Sequence, residues 1–191
     1  MHKTAEALIE RHLAPFWRGA SRASLERLIA TYPADPAAGA PFGTGDANQL
    51  YAGFKRNAAV IGDAEFILQR RYQLEHTAVE TAAWSFLANY RHGAGTLGTG
   101  HGTDLVLLAT GDPPVPYAHV LQYYVSFAHY LDPNGIAEAG TGEPALTPWP
   151  RWTPEDRQML QINVDGETVI RDDFREASYK YFKEIISELK V

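Results

Sequence analysis

The residues best suited to chemistry sit in one stretch, Gly98-Thr99-Gly100-His101-Gly102-Thr103-Asp104-Leu105. An imidazole changes charge near neutral pH, so His101 can accept a proton and give it back. Glycine on either side leaves the backbone uncrowded, and a tight turn can then hold the ring clear of the chain. Other candidates are weaker. His119 and His129 lie ten residues apart, almost three helical turns, so they cannot chelate one ion. Ordinary packing is their expected role. The seven histidines show no His-x-x-x-His or clustered His/Asp pattern, so a metal-dependent hydrolase is disfavoured and no metal or cofactor is expected. The adjacent Arg70 and Arg71 can clamp a phosphate or carboxylate. A structural ion pair, with Asp63 as partner, is the plainer expectation. Five glycines between 93 and 102 raise the question of a phosphate cradle. Neither G-x-x-x-x-G-K-[ST] nor a helix-opening G-x-G-x-x-G occurs, and Pro113, Pro114 and Pro116 follow, which excludes a nucleotide loop.

The histidine loop needs elements on both sides. Before it, the apolar run 83–90 reads as a buried strand. After it, Tyr117 to Leu131 is long and apolar, closes with Asp132-Pro133-Asn134-Gly135, and reads as a buried helix. Upstream the pattern is helical. Leu8, Ile9, Leu13 and Phe16 share one side of a segment that Pro15 should end or kink. Leu25, Leu28 and Ile29 mark a second helix, and Tyr32-Pro33-Ala34-Asp35-Pro36 a surface loop. Asp46-Ala47-Asn48-Gln49 has the form of a capping box for a third helix along Leu50, Phe54, Ala58 and Ile61. Gly62-Asp63 is expected to break it and start another along Phe66, Ile67 and Leu74. Downstream, Ala137 to Pro154 is rich in Gly, Pro and Thr, and Trp149 and Trp152 are expected to staple that connection down. Met159 to Val164, Asp165-Gly166 and Thr168 to Ile170 read as a hairpin with a type I′ turn. Asp173-Phe174-Arg175-Glu176 is a second capping-box pattern, before a helix whose Phe174, Tyr181, Phe182, Ile185 and Leu189 face inward.

Composition sets the outer bounds. Apolar residues make up 45% and charged residues 21%, near the average for a globular chain, and one domain with a substantial core is expected. A net charge of -6 offers no basic patch for nucleic acid. No apolar run approaches the ~18 residues of a membrane span. No signal peptide follows Met1, so a cytoplasmic chain is expected if Met1 is the true start, and a secreted one remains open if it belongs to a longer protein. There is no cysteine, hence no disulfide or thiolate metal site.

Taken in order, several short pieces resemble one family. They are Tyr32-Pro33-Ala34-Asp35-Pro36, Gly39-Ala40-Pro41-Phe42-Gly43-Thr44-Gly45, Phe54-Lys55-Arg56, Gly62-Asp63 and Arg70-Arg71-Tyr72, then the His101 loop. Leu131-Asp132-Pro133-Asn134, Trp149-Pro150, Ile162-Asn163 and Asp172-Asp173-Phe174-Arg175 complete the set. Together they are similar to the type-B carboxylesterases and lipases, in their fungal branch, and the similarity covers nearly the whole chain. The resemblance implies an α/β fold, namely the C-terminal portion of an α/β-hydrolase fold with few strands, several helices and an incomplete sheet. It divides residues 1–191 into a helical part (1–82), a last core strand with the histidine loop (83–105), and a helix with closing hairpin and helix (117–191).

The same resemblance implies carboxylic ester hydrolysis by a serine, an acid and a histidine in that chain order, with His101 as the catalytic histidine and Asp104 as a brace for its loop. No G-x-S-x-G occurs in these 191 residues, and Gly19-Ala20-Ser21-Arg22-Ala23 lacks the last glycine and a preceding strand. The nucleophile and acid of the family precede the part that this chain resembles. The chain is therefore expected to be inactive alone and to act on an ester only within a complete enzyme. It is also expected to associate with itself or with a complementary N-terminal esterase half, because an incomplete sheet leaves apolar faces uncovered. The alternative is a non-catalytic esterase-like binding module or a truncated relic.

Overall fold

The computed structural model describes residues 5–135 and 146–189. The start read for a leader, and the first part of the Gly-, Pro- and Thr-rich connection, lie outside the described residues. In chain order the helices are α1 (Ala5–Leu8), α2 (Ala14–Phe16), α3 (Arg22–Ala30), α4 (Phe54–Gly62), α5 (Leu68–Thr77), α6 (Thr103–Thr110), α7 (Pro114–Tyr130) and α8 (Glu176–Glu184). The strands are β1 (Phe86–Ala88), β2 (Gln158–Asn163) and β3 (Gly166–Arg171). These elements form two compact units. The first holds residues up to His76, Gly93–Gly98 and everything from Asp173; the second holds Thr77–His92 and Thr99–Asp172.

The first unit is helical. A π turn at Ile9–Leu13 joins α1 to α2, so the helix passes through Pro15 and ends only at Phe16. The wide turn, with the Ala14 N–H on the Ile9 carbonyl, shifts the ladder by a residue just where proline cannot donate. Ser21 caps α3 by accepting the Ser24 N–H at 3.1 Å, and Leu25, Leu28 and Ile29 are buried as their spacing requires. Pro36–Ala38 forms a 3-10 turn that begins at the last residue of the stretch read as a surface loop, and the Asp35 carboxylate takes the Ala37 N–H at 2.9 Å.

Two helix boundaries differ from expectation. Helix α4 begins at Phe54, not after Asp46, since the Gln49 side chain accepts the N–H of Lys55 and leaves Leu50 exposed. Gly62-Asp63 does not break the helix. Gly62 keeps a helical φ of -62°, and a π turn at Asp63–Ile67 carries the chain straight into α5. That extra residue rotates the buried face onto Ala64, Leu68 and Arg71, leaving Phe66 exposed. Lys55 is fully buried, its ammonium donating to the Thr44 hydroxyl and to the Gly45 carbonyl at 2.6 Å.

Charge is buried here too. The Arg71 guanidinium has no exposure, donates to the Phe174 carbonyl at 2.8 Å, and lies between the Phe174 and Tyr179 rings. Asp63, expected to pair with the Arg70-Arg71 dyad, has Arg175 Nε 3.0 Å from its carboxylate and feels the charge of Arg71 as well. Helix α8 starts at Glu176, with Arg175 in the left-handed region (φ 60°) at the N-cap position, and Tyr179, Tyr181, Phe182 and Ile185 are buried.

Burial pushes the Asp63 carboxyl up to about 6, against the opposing charges of Arg175 and Arg71. Because folding raises this pKa, the stability it contributes is complete below an unfolded value of about 4 and is lost as pH rises through about 6. The effect is on the order of 3 kcal/mol. Urea unfolding at pH 4 and pH 7 should therefore show the parent losing more stability than Asp63→Asn over that interval. Equal losses in parent and variant would refute this assignment.

The second unit carries the sheet, in the order β1-β2-β3, with β1 parallel to β2 and β2 antiparallel to β3. The run read as strand 83–90 is regular only over Phe86–Ala88, with a bridge between Trp84 and Arg151. The expected hairpin is present, but Asn163 pairs with Gly166, so Val164 and Asp165 make the turn. Both have negative φ, which rules out type I′. Trp149 donates to the Ser85 carbonyl at 2.9 Å and packs edge-on against Phe86 and Tyr123. Trp152, fully buried, donates to Asp172 at 3.2 Å. Both tryptophans staple the connection as expected.

Candidate active site: the histidine loop

The loop around His101 hangs from the end of β1. The Asn89 N–H donates to the Ile162 carbonyl of β2 at 2.8 Å, and the His92 N–H closes a turn on Asn89 at 3.0 Å. Gly98 and Gly102 both have positive φ, 62° and 76°, a conformation that side chains resist and glycine accepts. Gly102 is the N-cap of α6. His101 therefore stands between a fixed glycine turn and a helix start, and its side chain is exposed.

Hydroxyl groups hold the turn. The Arg91 N–H donates to the Thr99 hydroxyl at 2.9 Å. The Thr103 hydroxyl donates to the Gly100 carbonyl at 2.8 Å, and the Thr103 N–H reaches the same carbonyl at 3.2 Å. The Tyr90 hydroxyl donates in turn to Thr103, at 3.3 Å. The sequence assigned the bracing role to Asp104, but Asp104 sits in the first turn of α6 and the bracing bonds come from Thr99 and Thr103. Burial raises the Tyr90 phenol above its ordinary value, with the charge of Asp104 adding to it.

The remaining sequence candidates take structural places. Ser21, centre of the incomplete elbow, caps α3 and shares a hydrogen bond with Ser24, whose hydroxyl donates to Glu188 at 2.8 Å. His129 stacks on Tyr130. His119 on α7 meets Glu167 on β3 at 2.6 Å, with the carboxylate 2% exposed. These two residues are 48 apart in sequence, so no local spacing could have revealed the pair. Among the described residues, no group of three or more His, Asp or Glu side chains is placed to hold a metal ion.

Helix α7 is not the buried helix its composition suggested. Pro116, Val120, Tyr123 and Ser126 face the interior of the unit, while Val115, Leu121, Val125 and Phe127 are exposed, as are Leu105 and Val106 on α6. Among the described strands, β1 pairs on one edge alone. No described helix is long and apolar enough to cross a membrane.

No family model matches the chain. Individual proteins do. The chain is 34% identical over 182 residues to a secreted triacylglycerol lipase of Gibberella zeae, covering 93% of this chain and 30% of that protein. It is 38% identical over 171 residues to secreted lipase 1 of Botryotinia fuckeliana, covering 87% and 29%. With lipase 1 of Geotrichum candidum the identity is 39% over 157 residues, covering 82% and 26%. The chain thus spans about 30% of the length of the curated relatives it matches. Its fold matches the crystal structure of EstA from Aspergillus niger with a TM-score of 0.67, at 15% identity, covering all of this chain and 37% of that one. That neighbour is an α/β-hydrolase, and the three-stranded sheet with its helices is an incomplete version of the same fold.

Proposed function

Given that this chain is a homologue of the fungal lipases and carboxylesterases over a segment about 30% as long as its relatives, we propose that it supplies the catalytic histidine of a serine carboxylic-ester hydrolase. One observation carries the reading: His101 is an exposed imidazole on a turn braced by hydrogen bonds on both sides. In such a reaction His101 takes the serine proton as the hydroxyl attacks the ester carbonyl, then returns it to the leaving alkoxide. The serine and the acid that orients the imidazole lie on polypeptide outside these 191 residues. The substrate class is carboxylic esters, in keeping with relatives named as lipases. The exposed apolar residues of α6 and α7 and the single-sided pairing of β1 support an esterase partner segment that covers apolar surface of the second unit.

The purified chain is expected to give no turnover of a p-nitrophenyl ester. The same chain replacing the matching stretch of the Gibberella zeae lipase is expected to give an active enzyme. Turnover by the chain alone that His101→Ala abolishes would overturn the dependence on a partner segment. The lone chain is also expected to self-associate in sedimentation velocity. A monomer with one sharp, reversible thermal transition would count against an uncovered apolar face.

A further inference from the structure

We infer that Thr103, with Tyr90 behind it, is the positioning residue that sets the orientation of His101 for proton transfer; this rests on the esterase reading above. The carbonyl of Gly100 belongs to the peptide plane that ends at the His101 Cα, so fixing that oxygen fixes the φ axis of the histidine. Two donors converge on it, the Thr103 N–H and the Thr103 hydroxyl. A threonine hydroxyl has one proton. With that proton committed to Gly100, Thr103 can only accept from Tyr90, and the Tyr90 hydroxyl donates to it. Tyr90 is 5% exposed and lies in the same hydrophobic cluster as Leu160 and Ile162 of β2. The sequence of contacts thus runs from the sheet, through a buried phenol and one hydroxyl, to the backbone of His101. On the far side, the Gly102 carbonyl is taken by the Val106 N–H at 3.2 Å. An exposed ring is thereby held by its backbone, which suits a group that must meet a nucleophile from another segment.

Thr103→Val keeps the shape and removes both hydroxyl bonds, whereas Thr103→Ser keeps them. In the chimera with the Gibberella zeae lipase, Thr103→Val should lower kcat about 10- to 100-fold with KM unchanged, the loss expected of a misplacement near 1 Å. Thr103→Ser should restore the rate, and Tyr90→Phe should fall between. Equal rates for parent and Thr103→Val, beside a dead His101→Ala, would overturn the positioning role alone. Ester cleavage surviving His101→Ala would overturn the esterase reading instead. A second measurement does not depend on activity. In the 191-residue chain, backbone order parameters at Gly100 to Gly102 should be about 0.85 in the parent and in Thr103→Ser, falling below about 0.6 in Thr103→Val. Unchanged order in Thr103→Val would overturn the clamp whatever the kinetics.

Discussion

Replacing His101 by alanine in the active chimera should lower kcat by about 10⁴- to 10⁶-fold, while KM stays within about threefold. The loss corresponds to roughly 5–8 kcal/mol of transition-state stabilisation. Its size follows from the chemistry: a serine hydroxyl is a weak nucleophile at neutral pH, and without a base its attack must proceed with the proton in place. The leaving alkoxide loses its proton donor as well. Residual activity would come from binding and oxyanion stabilisation, which are made by other residues. His101 is exposed in the 191-residue chain, so its removal opens no cavity there. A fall of less than tenfold would remove His101 from the proton-transfer role.

The largest effect on stability is expected at Trp152. Its side chain has no exposure, its backbone N–H donates to the Ala83 carbonyl at 2.8 Å, and its indole N–H meets Asp172. Asp172 is itself fully buried, and its backbone N–H donates to Arg157 at 2.7 Å. Trp152→Ala deletes a large apolar side chain and takes a donor from a buried carboxylate. The cavity alone should cost about 3–5 kcal/mol, and the carboxylate's lost donor adds to it. Trp152→Phe fills much of the space but lacks the N–H, so its cost should be smaller, about 1–3 kcal/mol. Urea unfolding of both variants separates the two contributions. If Trp152→Ala changed the unfolding free energy by less than about 1 kcal/mol, the staple would have no energetic role.

Local pattern carried much of the fold. Leu25, Leu28 and Ile29 declare their helix because nothing in tertiary structure competes with the spacing, and the β2–β3 hairpin is plain from its alternation and its Asp-Gly. Failures occurred where distant residues decided. Gly62 reads as a breaker, yet Asp63 is drawn into the interior beside Arg175, more than a hundred residues later, and the helix runs on. Gln49 fits a capping box after Asp46 by its spacing, yet no helix starts there, and its side chain accepts the N–H of Lys55 in a helix that begins only at Phe54. In the candidate site, the glycines around His101 were legible because their conformational requirement is local. The clamp was not, since Tyr90 and Thr103 are separated by a loop whose path no propensity specifies. Helix α7 shows a third kind of failure: its composition reads as apolar all round, yet Val115, Leu121, Val125 and Phe127 are exposed.

The interleaved path of the chain through its two units has a consequence for biosynthesis. Leu8, Leu13, Leu25 and Leu28 belong to a core that also needs Tyr179, Phe182 and Ile185. A ribosome adds about 5–20 residues per second, so the early helices emerge many seconds before the aromatic residues that complete their packing. The second unit, whose residues lie between 77 and 172, can finish its own contacts first. The order of synthesis is thus reversed in the order of closure. During that interval the early helices present apolar surface, which makes them the natural ground for chaperone capture. A stop codon placed after Asp172 would leave the second unit whole and the first permanently open.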